Sequence, residues 1–130
     1  MANPYEKELV NFFQFWFTAN GTSSANVVVS FEIDKIRSSL FQLPFYTGVA
    51  SYNNLKFSLR QFMGREEVAY KPLDQQRGVF VFVLQGAFEV QYKLMETRDA
   101  LALWNAKEIE IEALSNEAII MLIEMDLKNN

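Results

Sequence analysis

The acidic residues are the first place to look for chemistry. Glu66-Glu67 and the series Glu108, Glu110, Glu112 set carboxylates close together, and two carboxylates suffice for general acid–base work. Such a pair acts only where two environments push its pKa values apart, and acids adjacent in a turn or alternating along a strand read instead as a solvated face. Histidine and cysteine are absent from the 130 residues. That excludes a Ser-His-Asp triad, a histidine base, a cysteine nucleophile, a zinc knuckle and an iron–sulfur cluster. The five glycines, at 21, 48, 64, 78 and 86, form no phosphate-cradling loop. Phe12, Phe13, Phe15, Trp16 and Phe17 could stack on a flat ligand or on bases, but no Lys or Arg is interleaved among them, so they read as core or as an interface.

Composition bounds the remaining possibilities. Half the residues are apolar, 22% are charged, and the net charge is −4 with twelve Lys and Arg scattered singly, which argues against a phosphate-backbone binder. A chain of 15.1 kDa buries around two-thirds of its surface as one domain, so no disulfide staple is required. The longest solid apolar run, Ala118 to Ile123, falls far short of a membrane helix, and polar Asn3, Glu6, Lys7 and Glu8 follow Met1. The expectation is a cytoplasmic protein with no nucleic-acid or membrane partner.

The elements that must position any site are mostly strands. Leu9 to Phe17 is too aromatic for a comfortable helix and reads as a strand buried on both faces, ended by Asn20-Gly21. Val27 to Leu40 fits a short helix or an extended segment equally. Leu40 to Tyr46 contains Pro44 and belongs at a sheet edge or bulge. Tyr52-Asn53-Asn54 predicts a turn. Leu55 to Met63 alternates Leu55, Phe57 and Leu59 with Lys56, Ser58 and Arg60, and Gly64 closes it. Val68 to Tyr70 is a short strand, and Lys71 to Gly78 a polar loop. Gly78 to Leu84 is the strongest strand signal, broken by Gln85-Gly86 before Ala87 to Tyr92, an arrangement that predicts a hairpin. Leu101 to Trp104, Ile109 to Ala113 and Ala118 to Met125 complete the set. Many short strands and little helical periodicity predict an all-β, closed or nearly closed antiparallel barrel or jelly roll, with at most one short helix.

Several of these stretches resemble one family. Val83-Leu84-Gln85-Gly86-Ala87-Phe88-Glu89-Val90 has the form V-L-x-G-x-x-x-V and is similar to the end of the first conserved cupin motif. Glu66 to Tyr70, Arg77 to Val83, Glu96 to Trp104 and Glu117 to Met125, in that order, resemble the C-terminal cupin domain of pirin-like proteins, the bicupins that include quercetin 2,3-dioxygenases. Glu6 to Phe17 is similar to that family's interdomain segment. The resemblance implies a cupin-type antiparallel β-barrel over residues 21–130, preceded by a linker-like start over 1–20 that carries the aromatic strand.

It also implies that metal ligands are missing. The cupin ligand positions fall at Pro72, Asp74 and Val79, with the second motif's histidine position near Glu108 or Ile109, so no cofactor, metal site or catalytic residue is assigned. The family's metal belongs normally to the N-terminal cupin. The leading expectation is therefore a non-catalytic structural or interaction module. Its partner is a second copy or a metal-binding N-terminal-type cupin, met through Phe12, Phe13, Phe15, Trp16 and Phe17. Two alternatives stand beside it. One is a metal-dependent, quercetinase-like dioxygenase using Asp74, Glu67, Gln75 and Tyr70, although oxygen-only ligand sets favour Mg, Ca or Mn over redox iron. The other is a metal-free barrel that binds a small molecule, lined by Arg60, Tyr70, Arg77 and Trp104.

Overall fold

The computed structural model describes residues 6–16, 30–37, 39–42 and 55–127. Among the described residues, nine strands make two antiparallel sheets. The first holds β1 (Phe41–Gln42), β2 (Lys56–Phe62), β9 (Ala118–Asp126), β4 (Arg77–Gln85) and β7 (Ala100–Leu103), in the order β1-β2-β9-β4-β7. The second holds β3 (Glu67–Tyr70), β8 (Ile109–Ala113), β5 (Phe88–Val90) and β6 (Lys93–Met95), in the order β3-β8-β5-β6. A 3₁₀ turn, Ile33–Ile36, is the single helical piece among the described residues, and none there is long and apolar enough to cross a membrane. The all-β, cupin-type expectation holds.

Side-chain parity explains the layers. In β4, Val79, Val81 and Val83 point between the sheets while Phe80, Phe82 and Leu84 point away. β9 repeats the pattern, with Ala118, Ile120 and Leu122 inward and Ile119, Met121, Ile123 and Met125 outward. From the second sheet Phe88, Val90, Ile109, Ile111 and Ala113 close the same core. Phe62 and Phe88 meet edge to face at 5.4 Å across it. The first sheet is thus apolar on both faces. The second is apolar inside and acidic outside, as the Ile-Glu alternation of β8 predicts.

A second apolar cluster covers the outer face of the first sheet. Phe57, Leu59, Met121 and Ile123 pack there with Ile36 of the 3₁₀ turn, and Phe15, Phe80, Phe82 and Leu84 lie against them. This reverses the simplest reading of β2. Its apolar residues Phe57 and Leu59 face this outer cluster, and the alternate positions Lys56, Ser58 and Arg60 fall on the side of Phe62, toward the barrel interior.

Two further expectations need correction. The aromatic start is no buried strand: residues 9–16 join no sheet, and Leu9, Phe12 and Trp16 are exposed. Phe13 and Phe15 instead meet the ring of Phe82 edge-on, at 5.4 and 6.3 Å. The segment lies over the sheet's outer face, where apolar area is offered, rather than along an edge where backbone groups would pair. Phe17 lies outside the described residues, as do Pro44, the Tyr52 to Asn54 turn and Val27 to Val29. The second correction concerns the hairpin after β4. Gly86, at φ +83, carries the chain from one sheet into the other, so β4 and β5 do not pair. The hairpin is β5 with β6, turned at Gln91 and Tyr92, both at positive φ as a type I′ turn requires.

Candidate functional site

Four strands bring polar and charged side chains into one end of the barrel. Lys56 comes from β2, Tyr70 from β3, Arg77 from β4 and Glu124 from β9. Strand pairing explains the convergence, because Glu124 lies directly across from Lys56 on one side and from Val79 on the other, two residues from Arg77. Glu124 is fully buried, and its Oε1 accepts hydrogen bonds from Arg77 Nε at 2.6 Å and from the Leu73 backbone N–H at 2.8 Å. Its Oε2 accepts the Tyr70 hydroxyl. Arg77 and Tyr70 are buried as well. A buried carboxylate survives in an apolar core only when its charge is paired and its lone pairs are used, and here both conditions are met.

Tyr70 carries the chemical signature of this environment. Burial pushes its phenol well above the usual value near 10, the hydrogen bond to Glu124 and that residue's charge push the same way, and Arg77 opposes them. The phenol is therefore a donor held neutral. Lys56 places its ammonium 5.6 Å from the Tyr70 ring centre, a cation–π contact.

Arg60 occupies the other end of the same inward face. Its guanidinium sits 4.2 Å from the Phe62 ring centre, and its Nη2 is 3.7 Å from Glu66 Oε2. Its Nε is buried and has no hydrogen-bond partner among the described residues.

Of the four pocket residues expected from sequence, the structure gathers three. Arg60, Tyr70 and Arg77 face the interior, whereas Trp104, at 68% exposure, follows the edge strand β7 and takes no part. Glu124, the residue that binds Tyr70 to Arg77, was missed. Its signal was legible: a single acid in the run Ala118 to Met125, at the same parity as Ala118, Ile120 and Leu122. Lys56 and Ser58 were missed because their parity was read as solvent-facing.

The oxygen-donor set proposed for a metal is not assembled. Tyr70 is inside, Glu67 points outward from the same strand, and Asp74 and Gln75 lie in the exposed loop before β4. Asp74 Oδ1 there accepts the Gln76 N–H at 2.8 Å. Of the cupin ligand positions, Val79 belongs to the apolar core, half-buried Pro72 has no donor, and Glu108 pairs with Lys71 at 3.5 Å. The closely set acids form the outer face of the second sheet, where Glu67 and Glu89 both lie across from Glu112. With Glu110, Gln91 and Tyr92 they line a shallow groove of about 390 Å³, and Arg65 pairs with Glu112 at 2.7 Å.

Residues 48–125 match the quercetinase C-terminal cupin domain, over more than half of the chain. The chain belongs to this family of pirin-like C-terminal cupins. No curated protein matches it closely. Solved structures share the fold at low identity. The bacterial pirin YhhW from Escherichia coli, in complex with nickel(II), is 19% identical with a TM-score of 0.52, over 55% of this chain and 31% of that one. An HTH_3 family transcriptional regulator from Vibrio cholerae is 13% identical with a TM-score of 0.57, over 68% and 51%. The Cupin_2 domain of an XRE family transcriptional regulator from Enterobacter cloacae is 8% identical with a TM-score of 0.56, over 69% and 97%. This cupin domain thus aligns with about a third of the pirin chain.

Proposed function

We propose that this cupin domain is a non-catalytic structural and interaction module, which pairs with a second copy of itself or with a metal-binding N-terminal-type cupin. One observation carries the reading: the doubly apolar first sheet is only partly covered on its outer face. Phe13 and Phe15 pack onto Phe82, while Leu9, Phe12 and Trp16 stand 98%, 58% and 86% exposed beside them. An aromatic strip of this kind beside an apolar sheet is an interface waiting for its other half.

The residues at the ligand positions support the non-catalytic part. Pro72 and Val79 offer no donor atom, Asp74 and Glu108 already serve a turn and a surface ion pair, and exposed carboxylates alone make a poor iron site. The interior carboxylate, Glu124, spends its lone pairs on Tyr70, Leu73 and Arg77.

Two measurements test the reading. Light scattering at micromolar concentration should give twice the chain mass, or a stable complex with an N-terminal-type cupin; a monomer that forms no such complex overturns the interaction role. Elemental analysis on protein purified without affinity metal, followed by oxygen uptake with a flavonol, should show neither stoichiometric metal nor turnover. One iron per chain with turnover would transfer the case to the dioxygenase.

A further inference from the structure

We infer that the β7 edge of the first sheet is a self-association site, where β7 pairs antiparallel with β7 of a second copy of this chain across a two-fold axis. This rests on the module reading for association itself, and adds which partner and which edge.

The outer face of the first sheet loses its cover from one side to the other. On β9, Met121 and Ile123 are buried in the cluster that holds Ile36; on β4, Phe80 and Phe82 are half-buried; on β7, their cross-strand neighbours Ala102 and Ala100 are exposed. Trp104 continues the same parity just past the strand and is 68% exposed. The uncovered ground therefore ends at a strand edge. Among the described residues β7 pairs with β4 alone, so the backbone N–H and C=O groups on its far side form an open ladder.

The other edges are guarded and this one is not. β3 begins with Glu67 and β6 with Lys93, charges that deter strand addition, and β1 spans two residues among those described. Ala100 to Ala106 contains no charged residue, no proline and no glycine. Such an edge invites a further strand.

Charge and parity select a second copy as that strand. The net charge of −4 opposes self-association over most of the surface, above all at the outer face of the second sheet with Glu67, Glu89, Glu110 and Glu112. Around β7 the charges balance, Glu96 and Asp99 against Arg98 and Lys107. Pairing cannot extend before Ala100, because the Asp99 N–H is bonded back to the Glu96 carbonyl at 2.9 Å and Arg98 sits at φ +78. It extends instead through Trp104, which centres the two-fold on Ala102. Leu101 then meets the partner's Leu103, and Trp104 covers the partner's Ala100. Side chains keep their faces in this register, so the two first sheets become one continuous sheet with both aromatic strips on the same side. An exposed tryptophan set over a small residue is the kind of anchor that carries interface energy.

The chain has no cysteine, so a single one can report the register. Ala102→Cys should be captured as a covalent dimer by a short bis-maleimide at micromolar concentration, since the two Cβ atoms would face each other at about 5 Å. Glu110→Cys, on the acidic outer face, should stay uncross-linked under the same conditions. Ala102→Lys sets two like charges against each other across the axis and should weaken self-association by about tenfold or more in light scattering. Its circular dichroism should match that of the parent, because Ala102 is exposed in the single chain. A chain that is monomeric at micromolar concentration overturns the inference, and if it then binds an N-terminal-type cupin the module reading still stands. A dimer that Ala102→Lys leaves intact, or that Ala102→Cys does not capture, overturns it as well and puts the second copy on another surface.

Discussion

Glu124 of β9 is fully buried and accepts the hydroxyl of Tyr70 from the opposite sheet on one oxygen while the other holds Arg77. The pair ties the two sheets together at the end of the barrel where apolar packing gives way to charge. Breaking it from one side takes a charge partner away from a buried group. Glu124→Gln should therefore cost about 3–5 kcal/mol of unfolding free energy, the usual penalty for removing one partner of a buried pair. Arg77→Met should cost a similar amount. In the double variant the two losses should fall well short of adding, because the interaction the two residues share is lost only once. Urea unfolding of the four proteins measures this directly.

Tyr70 makes stability depend on pH on the alkaline side. Its phenol is raised in the folded state, chiefly by burial and then by the Glu124 carboxylate. Below the unfolded value near 10, both states hold the proton and the group adds no slope. Above it, the unfolded chain releases a proton that the folded chain keeps, so stability falls as pH rises, by up to about 1.4 kcal/mol per pH unit. Tyr70→Phe should remove that slope while leaving the contributions of other groups. Urea midpoints between pH 9 and 11 should then converge for the two proteins; parallel curves would show that Tyr70 does not titrate as its surroundings require.

Much of the fold was legible before any coordinates. The Val-Phe run of β4 and the Ile-Glu alternation of β8 mark both strands, and the ordered motifs around Gly86 point to the family. Alternation alone separates two faces without saying which is inside. Where a sheet is covered on both sides, as at β2, the apolar side need not be the interior side, and Lys56 and Ser58 were not singled out for that reason. Glu124 was hidden by its apolar neighbours. The aromatic start misled because a run without alternation reports the need for cover, whether by strand pairing or by lying on a face. Sequence composition does not decide between those two.

Gly86 is the corner where the chain leaves one sheet for the other, and two constraints act on it. Its φ of +83 disfavours any side chain, and a Cβ there would lie 2.5 Å from Ser115 Oγ and 2.8 Å from Ala118 Cβ. Gly86→Ala should destabilise by more than about 1 kcal/mol. Gly78 has neither constraint to that degree, since a Cβ there meets only the end of the Leu127 side chain at 3.0 Å. Gly78→Ala should change stability by less than about 1 kcal/mol. Thermal unfolding of the two variants side by side separates a backbone demand from simple crowding.

Phe82 and Trp16 separate folding from association. Phe82 projects from β4 onto the outer face, stacks on Phe80 at 6.3 Å, and receives the edges of Phe13 and Phe15. Arg98 closes over Phe13 from the far side, 4.6 Å from its ring centre. Removing the Phe82 ring takes away the surface on which the aromatic segment rests, so Phe82→Ala should cost about 2 kcal/mol, less than a fully buried phenylalanine because it is only partly enclosed. Amide exchange at residues 12–16 should accelerate with it. Trp16 touches little in the isolated chain, and Trp16→Ala should leave stability within about 0.5 kcal/mol. If the exposed aromatics serve association, that same substitution should lower the mass measured by light scattering. A Trp16→Ala protein of unchanged stability that still assembles normally would place the interface elsewhere on the barrel.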